Sequence, residues 1–313
     1  MMKNSHKDVT ILVVTYFFVF INTGGTCMEK IKGILFIVLS TVAFGIMPIL
    51  AKLSYRGGAN TYTTLFLRFF FAAIMVFLYL RSKGISLKLT KRQLFLVLTI
   101  GVLGYTLTST SLFMSYNYIS IGMATMILYT YPVIVTLLSY VFYKEKMYPR
   151  KILSLIISLI GIYILIDKGS QNFNLKGIIL AGMAAILFSL YVLGSSLKDI
   201  KNINSYVLTF YISCASALVM FVSAITTNNF NINIHFYAFV AILLLAFIST
   251  VVALTAFLEG VRIIGPSKAA IFSTLEPIVA LILGILILGE PVSARIIIGS
   301  ITIVTSIVIL TKA

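Results

Sequence analysis

The sequence predicts an all-α polytopic membrane protein, with ten transmembrane helices arranged as two inverted five-helix repeats. Hydrophobic residues occupy 60% of the 313 positions, charged residues only 10%, and the mean hydropathy is +1.09. A soluble domain of this length cannot bury that much apolar surface. The apolar runs are continuous over about 20 residues, as a spanning helix requires, and do not alternate as membrane β-strands do. A pattern of proline and acid also occurs twice, 145 residues apart.

Ten apolar runs follow one another along the chain. The first five lie at about 33–53, 60–80, 93–117, 121–143 and 150–167, and the second five at about 176–196, 204–226, 234–259, 266–288 and 293–311. We divide the chain into a first repeat at 28–168 and a second at 169–313. Because five is an odd number of spans, the second repeat must insert upside down relative to the first, an arrangement that recurs among transporters.

Residues 1–27 do not fit the repeat. The run from Thr10 to Ile21 is short for a membrane span, and no small-residue cleavage site follows it. Met28 opens a short basic head, MEKIK, that leads directly into a full span. We interpret 1–27 as an N-terminal extension outside the functional protein; an added interfacial or short membrane helix and a cleaved signal are the alternatives.

The basic residues indicate membrane topology and not a nucleic-acid partner. The net charge of +16 comes mainly from short segments between spans. From Lys30 onward, sixteen basic residues fall on the side of the N terminus, against five on the opposite side, which are Lys52, Arg56, Lys168, Lys176 and Arg295. Because lysine and arginine are enriched in cytoplasmic loops, both termini should be cytoplasmic. We expect an integral protein of a prokaryotic inner or plasma membrane.

The repeated pattern is clearest in the fourth span of each repeat. The first copy reads YTYPVIVTLLSYVFYKE and the second STLEPIVALILGILILGE. A shift of 145 residues places Pro132 on Pro277 and Glu145 on Glu290. The acid follows the proline by 13 positions in both copies, about 20 Å of helix. The proline therefore lies near the middle of the membrane while the acid reaches the headgroups.

Three residues inside the spans are candidates for substrate or ion binding. Arg68 lies about 12 Å below the outer surface, and Glu276 about 15 Å below it. A charge at such depth is costly unless it is paired, neutralised or facing water, so membrane charges are functional candidates. An ion pair that only joins two helices, or an arginine that snorkels to the surface, is the alternative. Tyr131 occupies the position of Glu276 in the first repeat, next to Pro132, and is the third candidate.

The two prolines, and the acid that follows each of them at the end of its helix, are candidates for roles in conformational change. Pro132 and Pro277 each remove a backbone hydrogen bond inside a span, and their matched placement favours a hinge or gate over two tolerated kinks. Glu145 and Glu290 are candidate gate residues. The simpler explanation for these two acids is that each ends a helix and pairs with a nearby base.

These motifs resemble the EamA-type branch of the drug/metabolite transporter superfamily. Its hallmark is a small-residue turn, an apolar helix with L-x-P and a closing acid in both halves, and LFLRFFFAAIMV around Arg68 resembles its arginine-bearing second helix. The likeness covers about residues 30–311. The sequence departs from the pattern twice, because the second repeat has TFYISCASAL without an arginine and the first proline motif has Tyr131 instead of an acid. The resemblance implies a ten-helix inverted-repeat fold and the export or uptake of small metabolites.

We therefore expect a secondary transporter, an exporter or a facilitator, that moves a small metabolite by alternating access. Its cavity should lie near Pro132, Pro277 and Glu276. The sequence has no ATP-binding loop, so a gradient must supply the energy, with protons as a candidate coupling ion. No cofactor or metal is expected, and Cys27 and Cys214 offer no disulfide framework. The alternatives are a non-transporting partner or sensor subunit and a membrane enzyme acting on lipid-linked substrates, for which eight scattered acids and two histidines are a poor supply of catalytic groups.

Overall fold

The structure is a computed structural model that describes residues 25–119, 121–165, 174–231, 233–279, 282–283 and 294–311. Over these residues the regular structure is helical throughout, and no strand occurs among them. The α-helices in chain order are α1 (Gly25–Gly45), α2 (Met47–Arg56), α3 (Thr61–Ser82), α4 (Lys91–Thr99), α5 (Leu107–Ser115), α6 (Ile121–Leu128), α7 (Tyr131–Tyr143), α8 (Pro149–Leu165), α9 (Leu175–Ser195), α10 (Lys198–Lys201), α11 (Ser205–Thr226), α12 (Phe236–Ala246), α13 (Ala253–Ile264), α14 (Pro266–Phe272) and α15 (Ala294–Thr311).

Seven helical stretches among the described residues are long and apolar enough to cross a membrane. They are Met28–Arg56, Thr61–Ser82, Lys91–Ser115, Met123–Tyr143, Leu175–Ser195, Ser205–Thr226 and Phe236–Ile264. They correspond to the first four predicted spans and to the sixth, seventh and eighth. The protein is therefore an all-helical integral membrane protein, as the composition predicts.

The other three predicted spans are described only in part. The fifth is helical over α8, and the tenth is helical over α15. The ninth begins with α14 and a 3-10 turn at Ser273–Leu275, and its helical residues 276–279 are the last before an undescribed stretch. Glu290, a predicted gate residue, and residues 1–24 of the predicted extension 1–27 also lie outside the described residues.

Polar caps and one glycine determine where several helices begin and end. The N-terminal amides of a helix lack intrahelical partners, and short polar side chains accept hydrogen bonds from them. Such caps begin α3, α4, α9 and α11, and the capping residues are Asn60, Thr90, Asn174 and Asn204. Gly265 joins α13 directly to α14 with a φ of +84°, a left-handed backbone that glycine adopts without steric cost. Pro266 then occupies the first position of α14, where its missing amide costs nothing.

The two halves of the chain pack on each other through equivalent helices. The second span of one half contacts the second span of the other, through α3 and α11. The fourth spans meet through α7 and α14, and the fifth through α8 and α15. The first span of each half packs on the third span of the other, so that α1 contacts α13 and α9 contacts α5. Each contact thus has a counterpart with the halves exchanged, as expected for an isologous interface about a local two-fold axis.

Two glycines show, in individual atomic contacts, that the packing between the halves is repeated with the halves exchanged. A Cβ atom at Gly33 would lie 2.6 Å from Cγ2 of Ile264, and one at Gly177 would lie 2.7 Å from Cγ2 of Ile119. The two glycines are 144 residues apart and the two isoleucines 145. The same glycine-to-isoleucine contact therefore occurs twice, once in each direction between the halves. Small residues at such crossings allow membrane helices to approach closely.

Replacing Gly177 with alanine should destabilise the protein by about 1–3 kcal/mol, because the added methyl group overlaps Ile119 in a packed interface. Gly182 provides the matched control on the same helix, since no atom lies within 4 Å of a Cβ there. Gly182→Ala should leave stability unchanged or raise it by up to about 1 kcal/mol. Thermal unfolding of both purified variants in detergent compares them directly. Equal stability of the two variants would contradict the close approach at Gly177.

Candidate functional site

The third span of each half contains a π-helical segment. The first, π1 (Ile100–Thr106), joins α4 to α5, and the second, π2 (Phe247–Val252), joins α12 to α13. The offset of 145 residues that relates the prolines superimposes the two segments to within two residues. A π-segment changes the direction of nearby side chains and weakens the regular hydrogen-bond ladder, and such segments are frequent at functional sites.

The fourth span of each half is interrupted next to its proline. In the first half, a turn at Tyr129 and Thr130 separates α6 from α7, and Pro132 is the second residue of α7. In the second half, the 3-10 turn that follows α14 leads directly into Glu276 and Pro277. Both halves therefore carry an irregular point in the third span and another in the fourth.

A small cavity lies between these irregular points. Its lining includes the three predicted binding residues, Arg68, Tyr131 and Glu276. The other lining residues are mostly apolar or aromatic, and they are Phe44, Met47, Tyr105, Thr108, Ser109, Leu112, Phe113, Leu128, Tyr129 and Phe188. The cavity volume is about 40 Å³, which holds a few water molecules but is far below the roughly 300 Å³ of small-ligand pockets. In this structure the cavity is therefore too small to hold a metabolite.

Arg68 is only 1% exposed, and its hydrogen-bond partners in the described part of the chain are all neutral. Its Nε donates to Oγ1 of Thr250 at 2.8 Å, and its Nη2 donates to Oη of Tyr105 and to the carbonyl oxygen of Ser249, both at 3.1 Å. Its Nη1 reaches only Sδ of Met47, at 3.5 Å, and a thioether is a weak acceptor. Tyr105 lies in π1, whereas Ser249 and Thr250 lie in π2. Arg68 therefore connects the two π-segments.

Glu276 lines the same cavity as Arg68 but does not pair with it. The ion pairs within the described part of the chain lie elsewhere, at Arg92–Asp199, Lys151–Glu145 and Arg262–Glu259. The hydroxyl group of Tyr129 faces the Glu276 carboxyl group without a hydrogen bond of ordinary length and angle. The alternative interpretation from sequence, an ion pair between Arg68 and Glu276 that joins two helices, is therefore wrong for this state.

Tyr131 lies at the contact between the two fourth spans. Its ring packs edge-on against Phe188 at a centroid distance of 4.8 Å, and its hydroxyl group donates to the carbonyl oxygen of Ala270 at 3.4 Å. Its own carbonyl oxygen accepts a hydrogen bond from Ser189 at 3.3 Å. The residue therefore links the first repeat to two helices of the second, and these contacts must rearrange if the cavity opens.

Glu145 lies at the end of a helix and pairs with a nearby base, which is the simpler of the two roles predicted for it. It follows the left-handed Lys144 that ends α7, and its carboxylate accepts a hydrogen bond from Nζ of Lys151 at 2.7 Å. A Cβ atom at Gly265, in the turn between α13 and α14, would lie 3.5 Å from Oε1 of Glu145. The ion pair therefore sits against a turn of the other half, at the end of the helix and away from the cavity lining.

Sequence reasoning did not select the residues that hold Arg68. Tyr105 and Thr250 are 145 residues apart, so they are counterparts in the two halves. Phe44 and Phe188, 144 residues apart, are counterparts in the same way. The repeat in the sequence already pairs Phe44 with Phe188, and the same comparison extended to polar residues would also have paired Tyr105 with Thr250. The π-segments leave no comparable signal, because a π-segment adds no residue type of its own to the pattern.

Two halves that repeat one pattern and meet at a central cavity are a recurring plan of membrane transporters. The sequence pattern of the EamA-like transporter family matches residues 31–167 and, a second time, residues 175–312. The chain belongs to this family.

Similar proteins support the assignment to transporters. An uncharacterized transporter of Clostridium kluyveri is 27% identical over 300 residues, which cover 89% of this chain and 92% of that protein. The uncharacterized transporter YyaM of Bacillus subtilis is 24% identical over 245 residues, covering 75% of this chain and 79% of that protein. One solved crystal structure has a TM-score of 0.77 at 16% identity and covers 91% of this chain and 98% of its own. That similarity establishes the fold alone.

Proposed function

We propose that the protein is a secondary transporter of a small metabolite, with ten helices in two inverted repeats that alternate access to the central cavity. The observation that carries this proposal is that counterparts from the two halves meet at the cavity. Phe44 faces it with Phe188, and Tyr131 faces it with Glu276. Residues related by a two-fold axis approach each other only close to that axis. Transporters with inverted repeats bind substrate at this location.

The cavity must widen to admit a solute, and the irregular segments of the helices are places where the two halves can bend to widen it. In an inverted-repeat transporter, exchanging the conformations of the two repeats converts an inward-open state into an outward-open state. Each repeat needs matched places at which its helices can bend, and the π-segments and the interruptions at Pro132 and Pro277 are such places. We assign the two prolines the role of hinges on this basis. Glu145 and Glu290 remain candidate gate residues at the ends of the same helices.

Glu276 is the candidate carrier of a coupling proton. Its carboxyl group lines the cavity, and no lysine or arginine lies within ion-pair distance of it among the described residues. A carboxyl group in this position can exchange a proton with water that enters the open cavity, which is a common use of intramembrane acids. A gradient of protons would then drive accumulation of the solute.

Solute flux in proteoliposomes tests the proposal. Purified protein is reconstituted into vesicles loaded with a mixture of metabolites, and mass spectrometry follows which solutes leave, with protein-free vesicles as the control. Protein-dependent depletion of particular solutes is the expected result. New chemical products would favour the membrane enzyme, and folded protein that moves no solute would favour the sensor or partner subunit.

The inverted topology has its own test. Single cysteines at positions 145 and 290, in a chain whose Cys27 and Cys214 have been replaced, should react with a membrane-impermeant thiol reagent from opposite faces. The expected pattern has position 145 accessible from the cytoplasmic face, where the basic residues predict both termini. Labelling of both positions from the same face would contradict the inverted repeat.

A further inference from the structure

We propose that Arg68 binds the carboxylate group of the transported solute, so that the solute is a small organic monoanion with an apolar or aromatic body. This inference rests on the proposed transport function, because it assigns the chemical class of the solute that enters the same cavity. It is carried by the hydrogen bonds of Arg68, by its charge, by a second polar group on the cavity wall and by the apolar lining.

The hydrogen bonds of Arg68 leave one side of its guanidinium group available. The N–H groups on Nε and Nη2 all have oxygen acceptors, but Nη1 has only the sulfur atom of Met47 among the described residues. Arg68 and Met47 both line the cavity, so this weakest contact of the guanidinium group joins two residues of the cavity wall. A carboxylate oxygen is a much stronger acceptor than a thioether for a charged donor. A solute carboxylate can therefore displace the sulfur contact at little cost.

No acid among the described residues is in contact with the charge of Arg68. The guanidinium carbon lies 5.2 Å from the centroid of the Phe69 ring and 5.6 Å from that of Phe113. Such ring faces attract a cation but do not neutralise it. A cation kept at membrane depth without an ion-pair partner is costly, and residues of this kind mark substrate and ion pathways. An anionic solute supplies the missing charge.

The other residues of the cavity lining determine which polar groups, which body and which total charge the solute can have. Tyr129 also lines the cavity, and its hydroxyl group faces the Glu276 carboxyl group, so these two side chains offer a second polar contact to the solute. Three phenylalanines and two leucines provide the surface for an apolar body, and they are Phe44, Phe113, Phe188, Leu112 and Leu128. Arg68 is the only basic residue in the described lining of the cavity, so the cavity can compensate one negative charge. The fit is therefore best for a monoanion.

Three probes with one aromatic body test the charge preference on the unmodified protein. They are 3-phenylpropanoate, 3-phenylpropan-1-ol and 3-phenylpropylamine, which present an anion, a neutral group and a cation on the same chain. Binding to the purified protein is measured by ligand-induced thermal stabilisation. The carboxylate should bind at least about tenfold more tightly than the alcohol or the amine. Equal binding of the three probes, or a preference for the amine, would overturn the inference.

Two variants test whether Arg68 is the residue responsible for the preference for the carboxylate probe. Arg68→Gln should lose the preference for the carboxylate, whereas Arg81→Gln, an exposed position on the same helix, should retain it. If Arg68→Gln does not fold, the probe series on the unmodified protein still decides. The transport screen separates this inference from the proposed function: flux restricted to neutral or cationic solutes refutes the anion site and leaves the transporter. The absence of flux for every solute refutes the transporter itself.

Discussion

Arg68→Gln should abolish solute flux and lower the free energy of unfolding by about 2–4 kcal/mol. The substitution leaves the side-chain oxygens of Thr250 and Tyr105 and the carbonyl oxygen of Ser249 without the donor that now joins them. Both π-segments lose their common partner, and so the closed packing between the halves weakens. Flux in proteoliposomes and thermal unfolding in detergent measure the two effects separately.

Two further variants give the Arg68 experiment its controls. Arg68→Lys keeps the charge but cannot reach three acceptors in one plane, so it should recover only part of the stability and little of the flux. Arg81→Gln removes an exposed arginine from the same helix and should change neither quantity. An Arg68→Gln protein that transports at the normal rate would refute a role for the guanidinium group in transport.

Glu276→Gln should uncouple transport from the proton gradient while the protein keeps its normal yield. Glutamine preserves the shape of the side chain but cannot carry a proton, so gradient-driven accumulation should be lost and exchange of solute across the membrane should remain. The dependence of flux on pH should flatten in the same variant. Glu259→Gln is the matched control, because Glu259 pairs with Arg262 near the end of α13 and does not line the cavity.

The structure also determines what the double variant should do. Because Arg68 and Glu276 form no ion pair, Glu276→Gln should not restore the stability that Arg68→Gln loses. Restored yield in the double variant would reveal an ion pair between them. A Glu276→Gln protein with unchanged accumulation and unchanged pH dependence would remove the proton-carrying role altogether.

The sequence predicts the membrane class and the repeat for clear physical reasons. Spanning helices must be continuous apolar runs, so seven predicted spans match helices of the expected length. A proline inside a span must interrupt the backbone ladder, and the structure has interruptions beside Pro132 and Pro277. Charged residues are rare and costly inside a membrane, and for this reason Arg68 and Glu276 stand out within their apolar runs in the sequence. Both do line one cavity.

The sequence does not predict how these residues are partnered. Matching the depths of Arg68 and Glu276 suggests an ion pair, but depth says nothing about the rotation of each helix about its own axis. The π-segments change that rotation and bring Tyr105, Ser249 and Thr250 to Arg68 instead. Because π-segments depend on tertiary packing and have no residue signature, hydrophobic periodicity cannot reveal them.

Accessibility of a single cysteine at Ser109 tests the central claim most directly. Ser109 lines the closed cavity and is buried, and serine-to-cysteine is a small change in volume. The variant is made in a chain without Cys27 and Cys214, and Lys88→Cys, in the exposed loop between α3 and α4, serves as a control that should react from one face only. Alternating access predicts that an impermeant thiol reagent modifies position 109 from either face of the membrane and stops flux. Modification from only one face, or from neither while flux continues, would contradict a cavity that opens alternately to both sides.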